Sequence, residues 1–193
     1  SWKSAFTQSR AISILVRGLL LNPNSEWISV VHKSLNQLEI AYNESGVTVK
    51  LSEDAYFYEE YPASSPTMVL DGHLFVLIGL LDVIQAKHLP PSIVAQAQRL
   101  FEFGLNALHQ TLPSYDMGFW TKFNLCEMPH YPLDPCTVSY QKLISVQLES
   151  LASITNDSQL KAYASKFKQY LTLKNVLKMY RIKAKTLKQL GRL

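Results

Sequence analysis

The chain has 193 residues, of which 47% are apolar and 18% are charged, and its formal net charge is +4. This composition is typical of a globular domain with its own hydrophobic core, and it excludes a disordered chain. No run of eighteen uncharged apolar residues occurs, so the sequence predicts no membrane-spanning helix.

The charges are distributed unevenly along the chain. Residues 1–157 hold all 15 acidic residues and nine basic ones, a net charge of −6, whereas the last 36 residues hold ten basic residues and no acid. Such a basic block favours an anionic polymer or surface as a partner. It is equally typical of a solvated terminal helix, and the sequence leaves both interpretations open.

Periodic apolar residues predict a series of helices joined by short links. In chain order, the prediction is helices at 5–21 and 26–44, a short strand at 47–51, an irregular aromatic segment at 52–66, helices at 67–86 and 92–110, a long irregular segment at 113–137 with a hairpin near Gly118, and helices at 139–155, 158–171 and 174–190. The fold class is therefore all-α, a toroid-like or bundle-like helical domain with long aromatic loops. We expect residues 1–172 to form this domain and residues 173–193 to form a basic C-terminal helix or tail.

The first residues already have a helical pattern, so we expect the sequence to be a piece of a longer protein. Cys126 and Cys136 lie ten residues apart in a proline-rich segment, and a disulfide and two separate thiols are both open interpretations. Asn43 and Asn156 begin Asn-x-Ser sequons. These features favour the secretory pathway without establishing it.

The densest cluster of polar and aromatic residues spans positions 56–62 and includes Glu59 and Glu60. Two adjacent carboxyl groups among tyrosines raise the pKa of one of them through desolvation and like charge, and a raised pKa suits a general base near neutral pH. The alternative is a connecting loop whose rings fill the core while its acids face water.

No common cofactor motif occurs in the chain. The five histidines are scattered, the two cysteines lack CxxC spacing, and there is no GxGxxG motif or P-loop. We therefore predict no metal and no cofactor, and either chemistry by side chains alone or binding.

Five short motifs follow one another within residues 4–172. They are Gln8-Ser9-Arg10-Ala11-Ile12-Ser13, Tyr58-Glu59-Glu60-Tyr61-Pro62, Val69-Leu70-Asp71-Gly72, Leu77-Ile78-Gly79-Leu80 and Leu112-Pro113-Ser114-Tyr115-Asp116-Met117-Gly118. In order, they are similar to the QGRAIS, YEEYP, VLNG, SLIGLYD and LPLYDTG motifs of the C-terminal domain of D-glucuronyl C5-epimerases. The combination is more specific than any one motif, and the chain therefore resembles that family.

The resemblance implies an α/α toroid, N-terminal β-domains outside this chain, a homodimer and a Golgi or secretory location. It also implies an acidic polysaccharide of the heparosan or heparan sulfate type as the partner, with no cofactor and no nucleic acid. The implied reaction removes the C5 proton of a glucuronate residue and returns a proton to the opposite face, which gives iduronate.

The implied site residues follow from motif positions. Glu60 and Tyr61 match the family's active-site Glu-Tyr pair, and Tyr140 matches its later catalytic tyrosine. The resemblance implies that Glu60 and Tyr140 are the opposed acid and base, and that Tyr61 positions the carboxylate. We expect Arg10 and Tyr58 to contribute to substrate binding.

The chain departs from the family motifs at Phe123, Cys126, Gln141 and Ile144. Phe123 lacks a tyrosine hydroxyl, Cys126 replaces an arginine that binds the substrate carboxylate, and the other two replace histidines. Lys122 or Lys142 is expected to supply the missing positive charge, although lysine cannot bind a carboxylate through two parallel hydrogen bonds as arginine does.

Three functions therefore remain open from the sequence. The first is an active uronate C5-epimerase. The second is a catalytically impaired relative that binds anionic polysaccharide. The third is a helical protein-interaction domain that uses its basic C-terminal helix.

Overall fold

The computed structural model describes residues 3–61, 63–126 and 132–192, and this part of the chain forms seven α-helices and one two-stranded sheet. The helices are α1 (Ala5–Leu19), α2 (Ser25–Gln37), α3 (Leu70–Ile84), α4 (Pro91–Tyr115), α5 (Val138–Thr155), α6 (Ser158–Gln169) and α7 (Leu173–Gln189). Strands β1 (Thr48–Ser52) and β2 (Ala55–Tyr58) form an antiparallel hairpin that follows a 3-10 turn at Tyr42–Glu44. The chain is mostly helical, as predicted, with a small sheet added.

Polar side chains mark the starts of most helices. An oxygen of the N-cap side chain accepts a hydrogen bond from a backbone N–H of the first turn, which satisfies a donor that has no partner inside the helix. The residues that do this are Ser4, Asn24, Thr137, Asp157 and Thr172. α4 instead begins with Pro91, which needs no N–H partner at that position.

Helix α3 is the central element, since it packs against α1, α4, α5 and β2. Most of its residues are buried, which explains why it is apolar on all sides. Gly79 allows α1 to approach closely, because a Cβ at this position would lie 2.9 Å from the Ser9 Cβ and 2.9 Å from the Ser9 carbonyl oxygen. Two of the sequence motifs thus meet at a helix crossing.

The β-hairpin differs from the sequence prediction. The segment predicted to be irregular contains β2, in which Ala55 and Phe57 are buried on one face and Tyr56 is half-buried on the other. The Phe57 ring stacks on the His73 ring of α3, with centroids 4.2 Å apart. Acids on both sides and prolines after the strand interrupt this short alternation, so the sequence pattern did not predict β2.

Two helix boundaries also differ from the prediction. α2 ends at Gln37, where residues to 44 were predicted to be helical; residues 38–41 are non-helical, and a 3-10 turn follows at Tyr42–Glu44. α4 continues to Tyr115, where the prediction ended at residue 110. Pro113 lies within its last turn, where the cost of its missing N–H is limited to a single helix hydrogen bond.

The irregular segment between α4 and α5 is held by the buried Trp120. Its indole N–H donates to the Cys136 carbonyl at 2.8 Å, which joins the two ends of the segment. A tight turn occurs at Gly118, as predicted, with a φ of 75° and a hydrogen bond from the Met117 N–H to the Trp120 carbonyl. Cys126 and Cys136 are free thiols.

Candidate active site

Glu59 is buried and anchors the segment that leads into α3. Its carboxylate accepts hydrogen bonds from the Thr67 hydroxyl at 2.8 Å, the Thr67 N–H at 3.2 Å and the Met68 N–H at 2.9 Å. Met68 has a φ of 52°, a conformation that a non-glycine residue adopts only when its surroundings hold it. Burial raises the pKa of Glu59 and the three hydrogen bonds oppose that rise. Glu59 therefore serves the architecture of the site.

The neighbouring Glu60 has a different environment. It is half-buried, and its Oε2 is buried with no hydrogen-bond partner among the described residues. Gly72 makes room for it, because a Cβ there would lie 2.8 Å from the Glu60 Cβ and 3.2 Å from Oε2. Burial, then the charges of Asp71 and Glu59, raise the pKa of Glu60 to about 7. This carboxyl group can take up or release a proton near neutral pH.

Asp71, in the first turn of α3, is a second buried carboxyl group close to Glu60. Its Oδ1 is buried and has no hydrogen-bond partner among residues 3–61, 63–126 and 132–192. Burial raises its pKa to about 6, although the N–H groups of Asp71 and Gly72 oppose the rise. The Gln147 side chain donates to the Asp71 carbonyl at 3.3 Å, which ties α5 to this turn.

Tyr140 completes the cluster from the first turn of α5. Its side chain is 37% exposed, and its ring meets the Phe123 ring edge-on with centroids 5.4 Å apart. Burial, and then the negative charges of Asp71 and Glu60, raise the pKa of the Tyr140 hydroxyl. The phenol therefore stays protonated at neutral pH. The fold thus brings together Glu60, Asp71 and Tyr140, which are far apart in the sequence.

The remaining predicted site residues lie in different environments. Arg10 is exposed, with its guanidinium 5.2 Å from the centre of the Phe75 ring. Phe75 follows Asp71 by four residues, so it lies on the same face of α3 and Arg10 stands one turn from the carboxyl cluster. Tyr61 is half-buried and directly follows Glu60. Both residues therefore lie near the carboxyl cluster.

Tyr58 does not reach the cleft surface. It is fully buried, and its hydroxyl donates to the Leu100 carbonyl at 2.6 Å. Its backbone N–H donates to Nδ1 of the buried His73 at 3.0 Å. The expected contact of Tyr58 with substrate conflicts with this burial, and we assign the residue to the core.

The two lysines that were expected to replace the missing arginine are separated in the structure. Lys122 is half-buried and lines a cavity of about 470 Å³ together with Cys126 and Asp134. Lys142 is exposed on α5. Because residues two apart in a helix point to different sides, Lys142 does not share a face with Tyr140.

Two of the four departures from the family motifs are part of the packed interior. Gln141 is fully buried, and its side-chain amide donates to the Phe167 carbonyl at 2.9 Å and accepts from the Thr121 N–H at 3.1 Å. Ile144 is fully buried in the hydrophobic core. Packing and hydrogen bonding therefore explain why these two residue types fit at these positions.

Asp71 was not among the site residues predicted from the sequence. The available signal was the aspartate in Val69-Leu70-Asp71-Gly72, where the family motif has asparagine. The fully buried His73 was also missed. Burial lowers its pKa to about 4, and its Nε2 lies 3.0 Å from the Gly104 carbonyl, which makes it a structural link between α3 and α4.

Cavities also occur away from the carboxyl cluster. A groove of about 800 Å³ between α5 and α6 contains none of the predicted site residues. Within the described parts of the chain, no group of three or more His, Cys, Asp or Glu residues could hold a metal ion. No helix among the described residues is long and apolar enough to cross a membrane.

The sequence is similar to one protein family and to several known proteins. The family described as D-glucuronyl C5-epimerase C-terminus matches residues 1–169. A D-glucuronyl C5-epimerase of Caenorhabditis elegans is 31% identical over 131 residues, which cover 64% of this chain and 21% of the relative. An uncharacterized protein of Methanocaldococcus jannaschii is 20% identical over 171 residues, or 87% of this chain and 52% of that protein. The alignments thus span about a fifth and about half of these relatives.

Proposed function

The chain belongs to the D-glucuronyl C5-epimerase C-terminus family, and from this membership we propose that it is the catalytic domain of a uronate C5-epimerase. Its substrate is an acidic polysaccharide of the heparosan or heparan sulfate type, in which it converts D-glucuronate to L-iduronate. The observation that carries the proposal is the environment of Glu60, a half-buried carboxyl group with a pKa of about 7 close to the Tyr140 phenol. A base and an acid of this kind are what inversion at one carbon requires.

In the proposed mechanism, the Glu60 carboxylate takes the C5 proton of glucuronate. The C5–H bond breaks, and its electron pair is delocalised into the adjacent sugar carboxylate as an enediolate. The Tyr140 hydroxyl gives its proton to the opposite face of C5, which forms the new C–H bond of iduronate. Solvent then returns a proton to the Tyr140 phenolate and removes the one held by Glu60.

The developing negative charge of the enediolate requires nearby donors or cations. Arg10, one turn of α3 from the carboxyl cluster, is the cation that we propose for the anionic groups of the substrate. Tyr61 is proposed to position the Glu60 carboxylate. Lys122 is proposed to compensate for the arginine that Cys126 replaces, from the wall of the neighbouring cavity.

The wider properties of the family are proposals for this chain. We propose that the helices form an α/α toroid in the complete protein, that N-terminal β-domains supply a wall of the cleft, and that the protein is a homodimer. We propose a Golgi or secretory location on the same basis. The support for these statements is family membership and the mostly helical fold.

A second candidate function is binding of the polysaccharide without catalysis. The chain would then be a catalytically impaired relative of the active enzymes. The observation that favours it is the packing of the altered positions. Gln141 and Ile144 replace two family histidines and are buried with structural neighbours. Phe123 lacks a hydroxyl beside Tyr140. Loss of one oriented donor typically lowers turnover by a factor of roughly one hundred or more.

The direct test is proton exchange at C5. The full-length protein is incubated with N-sulfated heparosan in deuterated water, and deuterium at C5 is followed by NMR. We expect uptake by the wild type and a loss of at least about a hundredfold in Glu60→Gln. The control is Glu149→Gln, which makes the same change at an exposed position on α5.

Two outcomes contradict the epimerase proposal. Uptake that is equal in the wild type and in Glu60→Gln would mean that Glu60 does not take the proton. Absence of uptake at high protein concentration, with measurable binding of the polysaccharide, would establish the second candidate function instead.

A further inference from the structure

Helix α7 begins at Leu173, beyond the residues 1–169 that the family matches. Its inner face contacts the segment between α4 and α5. Met179 is buried, the Thr186 hydroxyl donates to the Leu133 carbonyl, and the Lys183 ammonium lies 2.5 Å from the Asp134 carboxylate. The helix is therefore fixed against the domain.

The outer face of α7 carries five exposed basic residues, which we call the α7 basic row. They are Lys174, Lys178, Arg181, Lys185 and Lys188, of which Lys178 also places its ammonium 3.7 Å from the centre of the Phe119 ring. Successive steps of four and three residues place them on one side of the helix, over a length of about 21 Å. No acidic residue follows Asp157 in the sequence, so α7 contains no carboxylate that could neutralise the row.

The inner face of the same helix lies close to the candidate active site. The Lys183 ammonium is 5.8 Å from the centre of the Phe123 ring, and that ring meets Tyr140 at 5.4 Å. The α7 basic row therefore stands roughly one helix diameter, about 10 Å, beyond the contacts that border the cleft. A flexible polymer bound in the cleft has only a short distance to span before it meets the row.

The arrangement of the outer face favours a linear polyanion. A single straight row of cations matches a narrow charged chain. Tyr180, which is 56% exposed, lies about a third of a turn around the helix from the row, on the side of Leu177. A membrane surface would require apolar residues in the middle of the exposed face. Here the exposed Leu173 and Leu177 lie along one edge and the charges occupy the middle.

We propose that the α7 basic row is a second binding site for the acidic polysaccharide, separate from the cleft at Glu60 and used by chains long enough to reach both. The identity of the polymer rests on the proposed function, whereas the existence of a polyanion site rests on α7 itself. The row holds the polymer next to the cleft between reaction events.

The test compares two variants that each remove three positive charges. The row variant is Lys174→Gln, Arg181→Gln and Lys185→Gln. The control variant is Lys33→Gln, Lys87→Gln and Lys161→Gln, which neutralises exposed lysines on α2, in the link between α3 and α4, and on α6. Glutamine keeps a helix propensity similar to lysine and arginine. Affinity for long N-sulfated heparosan is measured as a function of salt concentration.

We expect the row variant to bind long chains about tenfold more weakly than the wild type at roughly 0.15 M salt, with a shallower salt dependence. The control variant should stay within about twofold. Binding requires no turnover, so a catalytically inactive protein still reports on the row. Deuterium exchange on a short oligosaccharide should be the same in the row variant and the wild type, because such a chain does not reach α7.

Three results would overturn the inference. Equal weakening in both variants would mean that overall charge, and not the row, attracts the polymer. Unchanged affinity in the row variant would remove the site altogether. Tighter binding of duplex DNA or of vesicles with anionic lipid than of heparosan, measured at equal charge concentration, would assign α7 to a nucleic acid or to a membrane surface.

Discussion

The carboxyl groups of Glu60 and Asp71 lie close together at the start of α3, and each has a buried oxygen without a partner among the described residues. Burial raises the pKa of both groups, and the negative charge of Asp71 raises that of Glu60 further. The negative charge of Asp71 is one cause of the raised pKa of Glu60, which is about 7. Asp71 thus helps to set the pH at which Glu60 ionises.

Replacing Asp71 by Asn tests this coupling. The substitution removes a negative charge, so the pKa of Glu60 should fall. Glu60 acts as a base only when it is ionised, and the acidic limb of the pH–activity profile should therefore move to lower pH by about half a unit. The measurement is the rate of C5 deuterium uptake between pH 5 and 8. A profile that is unchanged, or one that moves to higher pH, would contradict the assignment.

The raised pKa of Glu60 also predicts that the stability of the fold depends on pH. Burial raises the pKa of Glu60 from 4.5 to about 7, so between these values the native state holds a proton that the unfolded chain has released. The contribution of Glu60 to stability therefore falls as the pH rises through this window and stays low above it. Glu60→Gln should raise the melting temperature by a few degrees at pH 8 and change it little at pH 4.

The matched control for this prediction is Glu149→Gln on the exposed face of α5. It should leave the melting temperature nearly unchanged at both pH values. An equal gain at pH 4 and pH 8 in Glu60→Gln would mean that the stabilisation does not come from the removal of a buried charge.

The environment of a single residue could be predicted from its sequence neighbours in some cases and not in others. Glu59 and Glu60 stand side by side in one motif, yet one is buried under three hydrogen bonds and the other has an oxygen without a partner. The sequence pointed to a carboxyl pair with a raised pKa. Tertiary contacts with Thr67, Met68 and Gly72 decide which member is available for chemistry, and no local pattern contains those contacts.

At the level of elements, the crossing of α1 and α3 explains why small residues occur in two of the motifs. Gly79→Ala should lower the free energy of unfolding by about 1–3 kcal/mol, because the added methyl group meets the Ser9 backbone at 2.9 Å. Chemical denaturation measures this change. A neutral or stabilising effect would contradict the close approach of the two helices.

Gly18→Ala provides the comparison, since Gly18 is also helical. The methyl group there would lie 2.9 Å from an atom of the Trp27 ring, which is a side chain and can shift. Alanine also gains about 1 kcal/mol of helix propensity over glycine. We expect its effect to be smaller than that of Gly79→Ala, so the difference between the two variants reports on the backbone contact.

The elements were predictable to different degrees. Apolar periodicity located the helices within a few residues at most ends, because most of them bury one apolar face. The strand β2 was missed, since its four residues acquire their conformation from pairing with β1 and from stacking on His73. The extension of α4 through Pro113 was missed because proline usually marks a helix end.

At the scale of the whole molecule, the candidate site is built from three regions that are distant in sequence. The segment after β2 supplies Glu60, the start of α3 supplies Asp71, and the start of α5 supplies Tyr140. Family motifs indicated Glu60 and Tyr140 as a pair. Composition and periodicity alone did not predict that Glu60 and Tyr140 are close in space, because their proximity depends on how α3 and α5 pack.

The central claim is that Glu60 and Tyr140 act on opposite faces of C5, and the Tyr140→Phe variant tests it most directly. In deuterated water, deuterium at C5 is measured by NMR separately in the glucuronate and iduronate residues of the polymer. The wild type should place deuterium in both. Tyr140→Phe should still exchange the C5 proton of glucuronate through Glu60 while forming little iduronate, with Tyr163→Phe as the control. Formation of iduronate by Tyr140→Phe at the wild-type rate would contradict the account.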